Sequence, residues 1–574
     1  MSKLIIILAV FSLVGFLRFY QLGNIPQGLT QDEAYYLYDG YSILKTGKDI
    51  LGNKLPLMFR STGEYKLNLT YLIAGSIPLV GLNTTAARFP SSITGFLTLI
   101  VLGVIVSEIT GNRWLGLFSS IILGFSPWHF GISRLFYESN VGAFFLLFTT
   151  LMATRILHLP KKPAFSSWVF LGLFSALSAY FYGPFRYLSI GLVILTILLT
   201  WCSTHRLTRS HFAVLLTYIL FMLPIGSQAF SRQGLMRLFQ TTKLQTTDYV
   251  LKINEIRSNC FLTMNKNPLA TKLCYVLWNR PTLFITRSAL VGIRLLSPEY
   301  LFFESVDTYI VPRENGAYLS LLLPFYLLGI FYFMQWVLVK DRVSIFLLSS
   351  LAGSSLIASL GGDISYHRNT YGLLLIAIII TMGIKVTLDW LKKHLPSKFW
   401  LGIIVFLGTS LLLIQNIKYL TYYFTNHVIS QPLLFKYDAP LVYDFMSKNR
   451  DFVIFDNIFF APVYAGIYWH LDPADFQLNA KWAYPDQWGF TNADRWGKLS
   501  FRGPNIYDLL CQKHHNPTVP INTFFVDDAI GPFSQQASYI SRDYTGSLAL
   551  HAVYDIDELY TEIITSSPGD LCPK

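Results

Sequence analysis

Asp32 and Glu33 stand side by side in Gln31-Asp32-Glu33-Ala34-Tyr35, soon after the first apolar run closes at Tyr20. A carboxylate next to hydrocarbon is costly unless it is solvated, paired or chemically employed. At the ends of further apolar runs the sequence carries Glu64 and Lys66, Arg88, Arg134 and Glu138, Arg186, and His367 with Arg368. Two or three acids among several arginines and lysines suit a reaction in which a phosphate departs from a membrane-borne substrate. Guanidinium and ammonium groups hold and neutralise the leaving phosphate, while a carboxylate takes the proton from an attacking hydroxyl. Each residue also has a plainer use. Asp is favoured at helix N-caps, Glu64 and Lys66 would form an exposed pair of little worth, and an arginine at a span end snorkels to head groups. A lone His367 would be an ordinary interfacial histidine. What the set shares is its side of the membrane, and that depends on the elements carrying it.

Of the 574 residues, 52% are hydrophobic and 14% charged, with a mean hydropathy of +0.43; a soluble chain carries about 25% charged residues. The composition is that of an integral membrane protein. Crossing about 30 Å of hydrocarbon takes roughly 20 apolar residues, and about eleven such runs are present. They lie near 3–20, 89–108, 114–133, 139–157, 166–182, 187–202, 212–228, 317–339, 343–361, 371–391 and 399–418. With the N-terminus inside, the short inner connections carry Arg113; Arg155, Lys161 and Lys162; Arg206 and Arg209; Lys340 and Arg342; and Lys392, Lys393 and Lys398. All are basic, as the positive-inside rule asks. The outer face then holds 21–88, 229–316, everything after 420 and the short outer turns. The first run spans without a small-residue cleavage site, so it is expected to remain as an anchor.

Within the first outer segment, Tyr35, Leu37, Tyr38, Tyr41 and Leu44 fall at near-helical spacing, which predicts an amphipathic helix over 32–44 lying on the membrane and stopped by Gly47. The apolar stretch 67–82 contains Pro78 and is too short to cross, so it is expected to be interfacial or re-entrant. After 420 the apolar blocks shorten. There 451–456 and 523–527 read as strands and 457–469 as a helix, giving a small α/β domain over 421–574 beside a membrane domain over 1–420. The net charge of +12 belongs mainly to inner loops, and with no soluble basic domain a nucleic-acid partner is excluded. Cys260 and Cys274 share the large outer segment and Cys511 and Cys572 the tail, so two disulfides are open to them in an oxidising compartment; Cys202 sits at a membrane boundary. A transporter or lipid flippase is the rival from another class. It would bury ionisable residues near the middle of broken spans, whereas here they gather at one surface.

The sequence resembles the GT-C glycosyltransferases of the protein O-mannosyltransferase and lipid A aminoarabinose transferase type, which take a sugar from a polyprenyl-phosphate carrier. The resemblance is carried by Gln31-Asp32-Glu33-Ala34-Tyr35, Glu64-Tyr65-Lys66, Ala87-Arg88-Phe89-Pro90-Ser91, Ser126-Pro127-Trp128-His129 leading to Ser133-Arg134 and Glu138, Tyr182 to Arg186, Leu296 to Phe303 with its Ser297-Pro298-Glu299, and His367-Arg368. It covers about residues 1–430. Two departures stand out: Leu67-Asn68 replaces the Pro-Pro expected after the lysine, and no histidine precedes Ser297-Pro298-Glu299. The resemblance implies a polytopic α-helical GT-C fold in the plasma membrane, with its active site and tail extracytoplasmic. It implies transfer of a monosaccharide, with inversion, from a polyprenyl-phosphate-linked donor to a hydroxyl of a protein, lipid or glycan. Asp32 would be the general base, with Glu33 beside it and Glu138 in support. Lys66, Arg88, Arg134, Arg186 and Arg368 would meet the carrier phosphate, and Glu64 and His367 a divalent metal or the sugar. An oligosaccharide ligase is the rival within the class, though the Trp-Trp-Asp element of oligosaccharyltransferases is missing from the sequence.

Overall fold

The computed structural model describes residues 2–57, 59, 69–158, 163–229, 247–263, 268–427, 431–447, 452–455, 462–484, 493–501, 503–515, 523–531, 533–566 and 572. The chain divides into two compact units. One comprises Met1–Phe19 with Ser91–Thr421, the other Tyr20–Pro90 with Tyr422–Lys574. The first outer segment therefore groups with the tail and not, as the domain limits 1–420 and 421–574 had it, with the spans.

Among the described residues, eight helices are long and apolar enough to cross a membrane: Thr84–Thr110, Glu138–Leu157, Phe185–Thr204, Arg209–Gly226, Ser320–Leu338, Arg342–Ser359, Thr370–His394 and Lys398–Thr425. Arg113–Gly124 and Pro127–Ser133 make one further crossing if taken together, bent by 69°. Proline accounts for the break: Pro127 has no N–H to continue the first helix and drives Ser126 into extended backbone, at ψ 133°. Ser2–Phe19 and Phe165–Phe181 are shorter apolar helices. Every expected run is thus helical, though eight alone reach full span length unaided. Thr370–His394 is the central helix of its unit, with every side chain from Thr370 to Ile384 buried. Lys398–Thr425 is only 6% buried over its apolar window and presents its leucines and isoleucines outward, as a lipid-facing helix does. Cys260 and Cys274 are disulfide-bonded in this unit.

In the other unit the expected helix runs from Gln31 to Thr46, ending at Gly47 with φ 68°. A left-handed C-cap is a conformation glycine adopts at little cost. Ten of its residues are buried. It packs on the helices Leu69–Val80, Pro462–Tyr468 and Pro473–Asn479, so it is enclosed by protein and does not lie bare on lipid. Gly466 permits the close approach, since a Cβ there would collide with the Tyr38 ring. The strands β1 (Phe452–Phe455), β2 (Ala480–Trp482), β3 (Ala493–Trp496), β4 (Leu499–Ser500), β5 (Thr523–Asp528), β6 (Tyr539–Arg542) and β7 (Ala549–Asp555) form one mixed sheet, ordered β2-β3-β4-β1-β5-β7-β6. The strand pair expected near 451–456 and 523–527 lies at its centre, parallel, with Phe452 opposite Thr523. Cys511 and Cys572 are bonded to each other.

A buried polar group secures the sheet to the segment before it. Asp438 accepts hydrogen bonds from His551 Nδ1 at 2.6 Å and from the Ser541 hydroxyl, and all three residues are buried. Nearby Lys436 is 8% exposed. Burial draws its ammonium down to about 8, partly offset by Asp438 and Asp528. Between about pH 8 and its ordinary value of 10.5 the unfolded chain binds the proton and the folded chain does not, so stability rises with pH across that window. The full gain is of order 3 kcal/mol at most. Thermal inactivation midpoints should therefore favour Lys436→Met at pH 7, with the gap closing by pH 10; a constant gap would remove the argument.

Candidate functional site

Adjacent residues on a helix point about 100° apart, and that rotation separates the two acids of the doublet. Asp32 is exposed and Glu33 buried. Thr30, not Asp32, is the N-cap: its hydroxyl accepts the Glu33 N–H at 3.2 Å, while Glu33 Oε2 accepts the Thr30 N–H at 2.9 Å, closing a capping box. Glu33 also receives Arg88, Nε to Oε1 at 2.7 Å and Nη2 to Oε2 at 3.2 Å, in a pair 0% and 1% exposed. The rest of Arg88 serves carbonyls: Nη1 donates to Leu22 O and Pro26 O at 3.2 and 2.6 Å, and Nη2 to Gly28 O at 2.8 Å. Five N–H donors thus meet five protein acceptors, which leaves none for the carrier phosphate expected of Arg88. Glu33 likewise holds the loop Tyr20–Thr30 to its helix and is not a free acid beside Asp32. Tyr464 donates to Leu29 O at 2.9 Å. Burial, then Tyr468, Glu33, Tyr443 and Asp32, hold its phenol well above the usual range, so it remains a donor.

The other unit holds the remaining cations that are described. Arg134, expected at a phosphate, is fully buried, and its Nη1 donates to Leu17 O and Arg18 O at 2.7 and 2.9 Å, the last carbonyls of the helix Ser2–Phe19. Arg18 does the same for another helix end, donating to Gly124 O at 3.1 Å and to His129 Nδ1 at 3.0 Å. Both guanidinium groups lie over the Phe130 ring, at 5.8 Å for Arg18 and 5.6 Å for Arg134. Cations on carbonyls at a helix C-terminus are stabilising, so this pair has a structural task. Arg186 sits in the first turn of Phe185–Thr204 with one long bond, Nε to Ala179 O at 3.5 Å. Arg368 lies 3.9 Å from Asp363, and its Nη1 is buried without a hydrogen-bond partner among the described residues. Gly361 makes room for it, because a Cβ there would collide with that nitrogen. Arg287, which sequence reasoning passed over, donates to the adjacent Gly362 O at 3.2 Å. Of the cations expected at phosphate, Arg186 and Arg368 keep donors for an anion, while Lys66 lies outside the described residues, as does the acid Glu64.

His367 belongs to a built group. Asp307 Oδ2 accepts the Ser365 hydroxyl and the Tyr366 N–H, each at 2.7 Å, and Ser365 Oγ lies 2.6 Å from His367 Nδ1. Tyr137 stacks on the imidazole with centroids 5.4 Å apart, and Tyr309 stacks in turn on Tyr137. Glu138 follows Tyr137 as the first residue of its helix, half-buried, where a carboxylate complements the helix dipole. For a divalent metal, the three-residue cluster found among the described residues is Cys511, His515 and Cys572. Its two sulfurs are joined as a disulfide and offer no thiolate.

Residues 67–227 match the family described as dolichyl-phosphate-mannose-protein mannosyltransferase. No curated protein sequence matches the chain. Among solved structures, the chain is similar to ArnT from Cupriavidus metallidurans in the apo state (12% identity, covering 97% of this chain and 98% of that one, TM-score 0.44). It is similar to the oligosaccharyltransferase AglB from Archaeoglobus fulgidus in complex with an inhibitory peptide and a dolichol-phosphate (12%, 96% and 74%, TM-score 0.47). A third likeness is to the S. cerevisiae protein O-mannosyltransferase Pmt1-Pmt2 complex bound to the sugar donor (16%, 40% and 33%, TM-score 0.30). The family match bears out, over its segment, the resemblance to the GT-C glycosyltransferases of the protein O-mannosyltransferase type.

Proposed function

We propose that this chain is an inverting glycosyltransferase that moves a monosaccharide from a polyprenyl-phosphate carrier to a hydroxyl of a protein, lipid or glycan at the extracytoplasmic face of the plasma membrane. The observation that carries the reading is the division of labour in the acidic doublet. Glu33 closes the capping box with Thr30 and forms the ion pair, while Asp32 beside it is exposed. Asp32 takes the acceptor proton as the acceptor oxygen bonds to the anomeric carbon. The bond from that carbon to the phosphate oxygen breaks, and the lipid phosphate leaves with the electron pair. Direct displacement inverts the anomeric centre. Arg186 and Arg368, which keep donors, and Lys66 are assigned to the phosphate, and Glu138 to the acceptor. The family match over 67–227 supports the lipid-linked donor. Two disulfides in segments placed outside by the basic inner loops support the orientation. Of the two residues the resemblance assigns to a divalent metal or the sugar, His367 is taken for the sugar, and no step is assigned to a metal.

The test is incubation of the purified protein in lipid nanodiscs with polyprenyl-phosphate monosaccharides, reading free lipid phosphate and the anomeric configuration of the product. One lipid phosphate released per sugar transferred, with inverted configuration, is expected. Arg368→Gln should raise KM for the donor about tenfold, the loss of one charged hydrogen bond. Retained configuration, or a carrier that is never consumed, would defeat the reading.

A further inference from the structure

We infer that Asp307 and Ser365 are positioning residues that lock His367 as its Nδ1–H tautomer, so that Nε2 offers a lone pair to a hydroxyl of the donor sugar; the sugar rests on the transferase reading, the tautomer does not. The argument is one of counting protons. A serine hydroxyl has a single hydrogen, and that of Ser365 points to Asp307 Oδ2 at 2.7 Å. Asp307 as a carboxylate can only accept, and it also receives the Tyr366 N–H at 2.7 Å. Ser365 Oγ, 2.6 Å from His367 Nδ1, therefore has only a lone pair to offer that nitrogen. The bond closes only if Nδ1 carries the proton, which leaves Nε2 of the neutral ring as an acceptor.

The surroundings fix the ring in its remaining degrees of freedom. Tyr137 stacks on it at 5.4 Å with planes 20° apart, so the ring cannot tilt, and the Ser365 bond sets its rotation in the plane. The lock is itself anchored. Tyr300 donates to Ser365 O at 3.4 Å, Tyr366 donates to Glu304 O at 2.7 Å, and the Thr370 hydroxyl donates to His367 O at 2.8 Å. Asp307 and Ser365 are 8% and 4% exposed, whereas the His367 side chain is 26% exposed and Nε2 has no hydrogen-bond partner among the described residues. A buried relay that ends in one open, oriented acceptor is matched by an O–H donor. In the proposed reaction the group richest in such donors is the sugar.

The experiment uses the full-length protein with 15N-labelled histidine, His367 being assigned by the signal lost in His367→Gln. In the wild type, Nδ1 should read as protonated and Nε2 as an unprotonated, pyridine-type nitrogen. In a folded Asp307→Ala the Ser365 hydroxyl loses its acceptor and turns toward Nδ1, so the proton should move to Nε2. The same variant should raise KM for the donor about tenfold while kcat stays within about twofold, a lost hydrogen bond costing that factor in affinity. Ser365→Ala should raise KM likewise, and Ser365→Thr, which keeps the hydroxyl, should restore it. A protonated Nε2 in the wild type, or no change of tautomer in a folded Asp307→Ala, overturns the lock. The expected tautomers with unchanged KM overturn the sugar contact alone. If the wild type consumes no carrier although the tautomers are as stated, the transferase reading and the sugar contact fall together while the lock stands.

Discussion

Asp32→Asn is expected to lower kcat for sugar transfer by about 10²–10⁴ while leaving KM for the donor and the thermal midpoint nearly unchanged, the range a positioned general base contributes. The structure makes this a clean substitution. Asparagine keeps the size of the side chain, the side chain is exposed, and the cap of the helix is Thr30. The substitution removes one negative charge from the first turn of Gln31–Thr46, worth about 0.3–1 kcal/mol. A fall in rate therefore reports on chemistry and not on folding. The rate is read at saturating donor and acceptor with thermal unfolding of the same preparation beside it. An Asp32→Asn protein that transfers sugar at the wild-type rate would end the assignment of the base, whatever the fate of the transferase reading.

How much of this could be read in advance depended on whether each interaction is local in sequence. Apolar length and the basic connections are local, and a helix stands at every expected span. The stop at Gly47 was equally legible, because a left-handed cap is a property of one residue. The roles within the doublet carried a local signal as well: Thr30 followed three residues later by Glu33 is a capping-box pattern, and it would have removed Asp32 from capping and Glu33 from catalysis. Arg88, Arg134 and Arg18 carried none. Most of their acceptors are main-chain carbonyls, which every residue type provides, so side-chain identity cannot announce that an arginine will serve these and not meet a phosphate. The burial of Gln31–Thr46 was hidden for a related reason. Spacing shows which face is apolar, but the helices Pro462–Tyr468 and Pro473–Asn479 that cover it lie more than 400 residues away in sequence. Asp307 and Ser365 are separated by 58 residues and meet only when two loops fold together.

Arg88→Ala is expected to destabilise its unit by about 3–5 kcal/mol, because removing one partner of a buried ion pair leaves the other charge uncompensated. Glu33→Ala should cost a similar amount and lose the capping bond to Thr30 N–H besides. Arg88→Lys should recover little. An ammonium offers three donors from one point, and the site presents two carboxylate oxygens and the carbonyls of Leu22, Pro26 and Gly28 spread around a planar fork. Measured resistance to heat and protease of the segments 20–57 and 462–484 would show the loss. Donor titration distinguishes this from the phosphate role expected of Arg88 on sequence. A phosphate ligand, once removed, gives a stable protein with a raised KM; the ion pair, once broken, gives an unstable protein whose surviving folded fraction keeps the wild-type KM. Replacing both partners, as Glu33→Gln with Arg88→Met, should not restore full stability. The Glu33→Gln side chain can still close the capping box, but three buried carbonyls lose their donors, each at about 1–3 kcal/mol. Arg88 therefore acts mainly as the hub on which the loop before Asp32 is folded, and a loss of activity in its variants would be a consequence of where Asp32 then stands.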